Sequence, residues 1–319
     1  MNLITSDEID FVLYERETEA KQKVKPAAQY VQELIDRIKS PVREPRAVLP
    51  WRKTHAQLAL RKGEVTIWGG ANGNGKSLVT GQVALSLCAQ GEKVCIASFE
   101  MKPSKTLERM ARQWSTHNVS DPAFRGDERA QSQFLDLYGQ FRDWTNGKLW
   151  LYDQQGTVTA SQVGAVVRYC AKEKGITHFF VDSLMKCVSG EDDYNGQKAF
   201  VDELTAIARD YGIHVHLVHH IRKPATEDHK PNKYDYKGSG AITDQVDNVI
   251  SVWRNKAKEK KREAGGQVDE RDPDALLICD KQRNGEWEGN IGLWFDPRSQ
   301  QFLGAAGDEP LSLYLHPEE

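Results

Sequence analysis

The fold of this chain is decided by the stretch Gly70-Ala71-Asn72-Gly73-Asn74-Gly75-Lys76-Ser77, which fits the phosphate-binding P-loop pattern G-x-x-x-x-G-K-[ST]. Residues 64–68 before it read as a short buried strand, and residues 77–90 after it read as a helix. A glycine-rich loop in this setting closes its backbone amides around phosphate oxygens. The lysine then reaches the β- and γ-phosphates, and the serine offers its hydroxyl to Mg²⁺. The sequence therefore predicts a site for a nucleoside triphosphate and its Mg²⁺.

Composition restricts the class of protein. The chain has 319 residues, of which 39% are hydrophobic and 28% charged, enough for one large α/β domain with additions or for two small domains. A formal net charge of -3 excludes a globally basic nucleic-acid coat, so contacts with a polyanion must come from local patches. The five cysteines form no C-x-x-C pair, which favours buried reduced thiols. With no membrane-length apolar run and no signal-peptide pattern, we expect a cytoplasmic protein without membrane contact.

From Trp51 onward, strand patterns alternate with helix patterns, which predicts a mostly parallel α/β sheet with helices on both faces. Two last short strands, 291–295 and 301–303, predict a hairpin at the sheet edge. The remaining predicted strands are 64–68, 93–98, 149–152, 178–181, 215–218, 249–253 and 276–280, and the predicted helices lie near 77–90, 103–115, 127–145, 159–174 and 196–211.

The two ends of the chain differ from this pattern. Residues 1–50 are rich in charge and proline, but residues 27–38 place Tyr30, Val31, Leu34, Ile35 and Ile38 at helical spacing. We expect that amphipathic helix to pack on its own domain or on a neighbouring subunit. Residues 305–319 read as a loose tail, and residues 254–274 as a solvated, mobile loop. The predicted division is a 1–50 arm, a 51–304 domain and a 305–319 tail.

Two carboxylates are expected beside the P-loop. Asp182 ends the apolar run at 177–181, and in combination with a P-loop this favours a role in holding Mg²⁺. Glu100 follows the apolar run at 94–99 in the same manner. Because ligands collect at the carboxyl edge of a parallel sheet, Glu100 is a candidate general base for water activation. The alternative is that Glu100 caps the following helix.

Five motifs, taken in order, resemble the RecA-like motor domain of DnaB-type replicative helicases and their phage primase–helicase relatives. The resemblance runs from about residue 50 to residue 304 and implies a RecA-like P-loop core that hydrolyses ATP. The motifs are Gly70 to Ser77, Ser98-Phe99-Glu100-Met101, Phe180-Val181-Asp182-Ser183, Lys237-Gly238-Ser239-Gly240-Ala241-Ile242 and Lys281-Gln282-Arg283-Asn284-Gly285.

The resemblance assigns roles to two further groups. It implies that Arg283 is an arginine finger that reaches the γ-phosphate of the adjacent subunit, with Lys281 beside it. An arginine at a transferring phosphoryl group neutralises developing charge; the alternative is a solvated pair on a hairpin. His220 matches a γ-phosphate sensor at the end of strand 215–218. The neighbouring His214, His216 and His219 suggest zinc less well, because they lack a metal-ligand spacing.

Nucleic acid is expected at the stretch 222–240, which combines basic residues with Tyr234, Tyr236 and glycines. The resemblance implies that this loop grips single-stranded DNA in the channel of a ring. A second channel loop is expected within 185–197, although Glu191, Asp192 and Asp193 there repel DNA. The predicted DNA-binding residues are Arg222, Lys223, Lys237, Gly238, Ser239 and Gly240.

These features together predict an ATP-dependent DNA helicase of the DnaB type, acting in replication as a homo-oligomer, with a hexameric ring as the expected assembly. A primase or loader is a possible partner implied by the resemblance. Two alternatives stay open. The first is a RecA-like ATPase, such as a loader or recombination mediator, that binds DNA without unwinding it. The second is a regulatory or scaffold ATPase that is indifferent to DNA.

Overall fold

A computed structural model describes residues 2–15, 27–39, 46–118, 127–190, 192–222, 226, 228–236 and 240–314. Within these residues, the strands β1 to β10 are Asn2–Ile4, Val65–Gly69, Val94–Ser98, Leu149–Tyr152, His178–Asp182, His214–Val218, Asn248–Arg254, Ala275–Gln282, Gly289–Asp296 and Gln301–Leu303. The helices α1 to α9 of the same part of the chain are Phe11–Glu15, Ala27–Lys39, Lys76–Ala89, Pro103–Ser115, Glu128–Thr145, Ala160–Tyr169, Tyr194–Tyr211, Ala241–Gln245 and Lys256–Glu263.

The strands form one sheet in the order β1-β4-β3-β5-β6-β2-β7-β8-β9-β10. Pairing is parallel from β1 to β7 and antiparallel from β7 to β10. The predicted mostly parallel sheet with helices around it and a hairpin at the edge is thereby confirmed. Each predicted strand and helix from residue 64 onward is present, with ends shifted by a few residues at most, except that helix α6 ends at Tyr169 and a π-helical turn continues to Lys174.

Both faces of the parallel strands are covered. Every residue of β2 is buried, as expected for a strand with helices on both sides. Because side chains alternate along a strand, Ile67 belongs to one apolar core and Trp68 to the other. The sheet therefore holds the strand ends in fixed positions, and these ends carry the candidate site.

The first residues of the chain join this sheet, which the sequence patterns did not predict. Strand β1 pairs with β4 in parallel register, and α1 packs on α6. Ile4, Ile9 and Tyr14 are buried there, and the Tyr14 hydroxyl donates a hydrogen bond to Glu173 (2.8 Å). The predicted division at residue 50 otherwise stays a prediction. Helix α2 leaves Val31, Leu34 and Ile38 exposed, so its apolar stripe is open to solvent in the single chain.

Two segments make contacts that the sequence patterns did not predict. The stretch 254–274, predicted as a solvated mobile loop, contains helix α9. Lys258 of that helix is buried and pairs with the buried Asp274 (2.9 Å). In the tail, Gln301 bonds the backbone of Leu311 and the amide of Leu313 donates to Trp114 (2.8 Å). The loop prediction for 254–274 was wrong because a buried ion pair leaves no local sequence pattern, whereas the tail at 305–319 stays a prediction.

Candidate functional site

The P-loop connects β2 to α3 and has the glycine geometry that a phosphate loop requires. Gly70, Gly73 and Gly75 have φ values of 152°, 78° and 83°, a region that L side chains rarely adopt. A Cβ on Gly70 would also lie 2.6 Å from the carbonyl of Val252. Strand β7 supports the loop from the side, since Arg254 donates to the carbonyl of Gly73 (3.1 Å). The sequence analysis did not single out Arg254; its signal was a charged residue at the end of a buried strand.

Lys76 lies across the mouth of this loop. Its ammonium donates to the carbonyls of Gly70 (2.9 Å) and Ala71 (3.1 Å) and lies 3.3 Å from Nδ1 of His220. Burial lowers the pKa of Lys76 to about 8, although the nearby Asp182 and Glu100 oppose the shift. An ammonium that faces Nδ1 requires that nitrogen to be the acceptor, so the His220 proton lies on Nε2. The P-loop lysine and the predicted sensor are therefore in direct contact.

Ser77 and Asp182 meet on the other side of the lysine. The Ser77 hydroxyl donates to Oδ2 of Asp182 (2.9 Å). Burial raises the pKa of Asp182, and this hydrogen bond opposes the rise. A hydroxyl oxygen and a carboxylate oxygen are hard ligands of the kind that Mg²⁺ takes, with water and phosphate oxygens filling its other positions. The pair therefore fits the predicted metal role.

Glu100 completes the group. It lies just beyond β3, where its Oε1 accepts a hydrogen bond from Ser183 (3.1 Å) and lies 3.8 Å from Nε2 of His220. The contact with His220 is the main reason that the pKa of Glu100 is lowered to about 2, since burial alone would raise it. Glu100 is therefore an ionised carboxylate at neutral pH, able to orient water. Ser183 was missed by the sequence analysis, and its only signal was its place after Asp182.

Strand register explains why these groups converge. Ser98 at the end of β3 pairs with Asp182 at the end of β5, and β5, β6 and β2 lie side by side. Parallel strands present their carboxyl ends at one edge of a sheet. Lys76, Ser77, Glu100, Asp182 and His220 thus occupy one edge, which we call the nucleotide edge.

Lys281 and Arg283 lie at the opposite edge of the same sheet. Lys281 pairs with Val249, and the amide of Arg283 donates to Asp247, the residue before β7. Asp247 in turn donates its amide to Val65 at the start of β2, whereas the P-loop follows Gly69 at its end. Four residue steps along a strand span about 13 Å, so this basic pair is remote from the P-loop of its own chain.

Known proteins share the sequence pattern and the fold of this chain. Residues 55–304 match the family model of the DnaB-like helicase C-terminal domain. This chain belongs to that family. It is 24% identical over 218 residues to the replicative DNA helicase DnaC of Bacillus subtilis (strain 168), which covers 66% of this chain but only 46% of that relative. The chain thus spans about half the length of the curated relative it matches.

Solved structures show the same fold. A solved ATPase domain superposes with a TM-score of 0.72 at 14% identity, covering 88% of this chain and 99% of that one. A DnaB-like replicative helicase, solved in a study of its interactions with primase, gives a TM-score of 0.71 at 14% identity and covers 88% of this chain and 67% of that one. The predicted RecA-like fold and DnaB-type family are confirmed, and this family is one of P-loop ATPases.

The predicted DNA loop of this DnaB-like domain is described only in part. Lys223, Lys237, Gly238 and Ser239 lie outside the described residues, whereas Arg222 and Gly240 are both exposed. The two tyrosines of the loop differ. Tyr234 is 78% exposed, but Tyr236 is buried, with its ring against the backbone of Gly69 and its hydroxyl 2.8 Å from that of Ser251. Tyr236 therefore belongs to the core, and Tyr234 is the tyrosine of this loop that faces solvent.

The segment predicted as a second channel loop is partly buried where it is described. Cys187, Val188 and Gln197 are buried. Asp193 caps helix α7 by accepting a hydrogen bond from the amide of Gly196 (2.9 Å). Glu191 lies outside the described residues. A carboxylate at a helix N-terminus is stabilising, which accounts for Asp193 without any contact with DNA.

His178, His214 and His216 form a buried layer in the sheet. Trp68 donates to Nδ1 of His216 (3.1 Å), whose Nε2 therefore carries the proton and donates to Nδ1 of His178 (3.1 Å). His214 bonds Thr66 (2.8 Å) and the carbonyl of Arg61. Among the described residues, no group of three or more His, Cys, Asp or Glu side chains is placed to hold a metal ion. The described helices also include none long and apolar enough to cross a membrane.

Proposed function

We propose that this chain is the motor of an ATP-driven DNA helicase that translocates on single-stranded DNA during replication in the cytoplasm. Residues 51–304 form the motor domain in this proposal. The observation that carries it is the cluster at the nucleotide edge, where the P-loop lysine lies 3.3 Å from a histidine, an ionised glutamate lies 3.8 Å from the same histidine, and the P-loop serine donates to a strand-end aspartate (2.9 Å). Family membership alone does not establish activity, so the assignment depends on this chemistry.

ATP would lie along the P-loop with its phosphates against the backbone amides and Lys76. Ser77 and Asp182 would hold Mg²⁺, which supplies positive charge to the phosphate oxygens when it is bound. Glu100 would orient the attacking water and accept its proton. Nε2 of His220 faces Glu100 and its Nδ1 faces Lys76. Loss of the γ-phosphate would therefore change the electrostatic environment of His220 directly.

A neighbouring subunit would complete the site. Lys281 and Arg283 cannot serve their own P-loop from the opposite edge of the sheet, so we assign them to the P-loop of the next subunit. Such a head-to-tail contact closes into a ring if its rotation closes, and a hexamer is the assembly we propose. The exposed apolar stripe of α2 would add to this contact by packing on the neighbour.

The stretch 222–240 would grip DNA. It follows β6 directly, so the strand that carries His220 at its end also leads into the loop. We assign DNA contacts to Arg222, Lys223 and Gly240 and, through backbone amides and the lysine charge, to Lys237, Gly238 and Ser239. These contacts hold phosphates and do not read sequence. Each hydrolysis event would then move one loop. A primase or a loader is the partner class that such a motor would meet.

The test is unwinding of a forked duplex with a 5′ single-stranded tail in the presence of ATP and Mg²⁺. We expect the wild-type protein to release strands and Lys76→Ala to release none, while Lys105→Ala, which removes an exposed lysine paired with Glu108, keeps full activity. DNA-stimulated ATP hydrolysis without strand release would favour the non-unwinding alternative. ATP hydrolysis that ignores single-stranded DNA would favour the scaffold alternative and overturn the proposal.

A further inference from the structure

The loop after β6 carries an aromatic ring that the described part of the chain leaves uncovered. Tyr234 is 78% exposed, compared with 48% for Tyr194 and 38% for Tyr138. A large exposed ring is costly to hydrate, and buried Tyr236 two residues later shows that this loop has access to a core. The conformation of the turn therefore keeps the Tyr234 ring exposed, although a core is close enough to bury Tyr236.

That turn is held firmly. Asp235 accepts hydrogen bonds from the amide of Asn232 (2.8 Å) and from His229 (2.9 Å). Asn232 in turn accepts from the amide of Tyr234 (2.9 Å) through its side chain and from the amide of Asp235 (3.0 Å) through its carbonyl. These bonds fix the backbone on both sides of Tyr234. A pre-organised aromatic loses little conformational entropy when it binds a ligand.

The base of the turn is attached to the P-loop strand. Tyr236 packs on Gly69, the last residue before the P-loop, and pairs with Ile221 across an isolated bridge. The amide of Arg222 donates to the carbonyl of Asp235 (2.7 Å). The turn that presents Tyr234 is thus attached at one end to the strand of His220 and at the other to the strand of the P-loop.

The surroundings of Tyr234 are charged and polar. Nζ of Lys233 lies 5.6 Å from the centre of the Tyr234 ring, and Lys230 of the same turn lies over Trp253 at 5.4 Å. The acidic groups there are already engaged, since Asp235 accepts hydrogen bonds within the turn and Asp280 interacts with Lys233. A protein-binding hot spot is normally enclosed by apolar contacts that exclude water. An aromatic face beside lysines is the combination that binds single-stranded nucleic acid, because bases stack on the ring while ammonium groups hold phosphates.

We propose that Tyr234 stacks on a base of the bound single strand and that Lys233 contacts the adjoining phosphate. This inference depends on the proposed function, since it specifies how the same loop holds DNA. Stacking does not select a sequence, because every base has an aromatic face. The contact would add grip without slowing translocation at particular sequences. It also places a base-contacting side chain outside the residues that the family resemblance assigned to DNA.

The experiment measures binding of a single-stranded oligonucleotide that contains 2-aminopurine, at several salt concentrations and with a non-hydrolysable ATP analogue present. Its variants are Tyr234→Ala, Tyr234→Phe, Lys233→Ala and, as the matched control, Tyr138→Ala, which removes an exposed tyrosine on helix α5. Loss of one stacked base weakens affinity between about 5-fold and 150-fold. We expect Tyr234→Ala to show that loss and to abolish 2-aminopurine quenching, while Tyr234→Phe and Tyr138→Ala bind as the wild type does.

Salt dependence separates the two contacts. Tyr234→Ala should leave the slope of log affinity against log salt unchanged, because it removes no phosphate contact. Lys233→Ala should reduce that slope by about 0.7. Normal affinity and quenching in Tyr234→Ala would overturn the inference while leaving the helicase proposal intact. Absence of DNA binding by the wild-type protein would instead overturn the proposed function itself.

Discussion

In the proposed motor, the two ends of strand β2 carry opposite halves of one chemical site. At its carboxyl end, the nucleotide edge collects Lys76, Glu100 and Asp182 within a single chain. At its amino end, Arg283 and Lys281 turn toward carbonyls of their own chain around helix α8, at Thr243 and Asp244. One chain therefore holds a phosphate site without its arginine, and an arginine without a phosphate.

Asp247 shows how closely the amino end is connected to the strand. One of its carboxylate oxygens accepts from the amide of Val65 (3.0 Å), and the other pairs with Arg283 (3.2 Å). The arginine that we propose to act on a neighbour's phosphate is thus hydrogen-bonded, through Asp247, to the strand that leads into its own P-loop. In a ring, each β2 would join one subunit interface to the next, which gives consecutive sites a rigid mechanical connection.

The largest effect is expected from Arg283→Ala. An arginine that acts on the transferring phosphoryl group contributes about 10³-fold to 10⁵-fold in rate, so ATP turnover by the assembled protein should fall by that factor. Nucleotide affinity should change little, because the P-loop of each subunit remains whole. Steady-state hydrolysis and equilibrium binding of a fluorescent ATP analogue measure the two quantities. Unchanged turnover would reduce Arg283 to a structural partner of Asp247.

Mixing variants distinguishes action in the same chain from action on a neighbour. Neither Lys76→Ala nor Arg283→Ala alone should hydrolyse ATP. In a mixed oligomer, however, an Arg283→Ala subunit supplies an intact P-loop and an adjacent Lys76→Ala subunit supplies the arginine, so some sites recover. We expect ATPase activity to rise on mixing. Activity that stays at the level of the separate variants would break the proposed division of the site between subunits.

The next effect is expected from Glu100→Gln at the nucleotide edge. General base catalysis contributes about 10²-fold to 10⁴-fold, and glutamine keeps the size of the side chain while it loses the charge and the basicity. Turnover should fall by that factor, whereas ATP and single-stranded DNA should still bind. If Glu100 only capped the following helix, the variant would lose thermal stability and keep its turnover per folded molecule, so both must be measured.

The sequence predicted the nucleotide edge better than the opposite one, for a physical reason. The P-loop and the strand-end carboxylates are local patterns, because a strand, its turn and its polar residue follow one another along the chain. The contacts of Arg283 with Asp247 and of Tyr236 with Gly69 join residues far apart in sequence. The hydrophobic periodicity of the chain therefore does not predict them. The same holds for β1, because its residues Asn2 to Ile4 pair with Trp150 to Tyr152 of β4, which are far away in the sequence.

A moderate loss of stability is expected from Gly69→Ala. A Cβ there would overlap the ring of Tyr236, and such overpacking destabilises a core by about 1–3 kcal/mol. Thermal unfolding should report the loss. In the background Tyr236→Ala, which removes the ring, the same alanine should cost much less, and this double-mutant cycle isolates the contact. Additive effects in the cycle would show that the loop does not press on the P-loop strand.

The last expected effect is a pH dependence of stability arising from the histidine layer. Burial lowers the pKa of His214 to about 4 and lowers the pKa of His178 and His216 well below the usual range. The folded state therefore favours neutral rings, so their contribution is present above the unfolded pKa near 6.5 and is lost as the pH falls below it. Each such histidine contributes a slope of about 1.4 kcal/mol per pH unit in that range.

Two carboxylates oppose this trend, because burial raises the pKa of Asp182 and raises that of Asp280 to about 6, and their protonation favours the folded state as the pH falls. With three histidines against two aspartates, urea unfolding should still show the free energy of unfolding decreasing from pH 6.5 to pH 5. The variant His178→Gln keeps a hydrogen-bonding side chain and should flatten that slope by about 1.4 kcal/mol per pH unit. Carboxylates with lowered pKa, such as Glu100, act below pH 4.5 and leave this range to the histidines. If the free energy of unfolding stays constant from pH 6.5 to pH 5, the histidine layer at the opposite edge of the sheet must accommodate charged rings. The contrast between a charged nucleotide edge and a neutral buried layer would then fail.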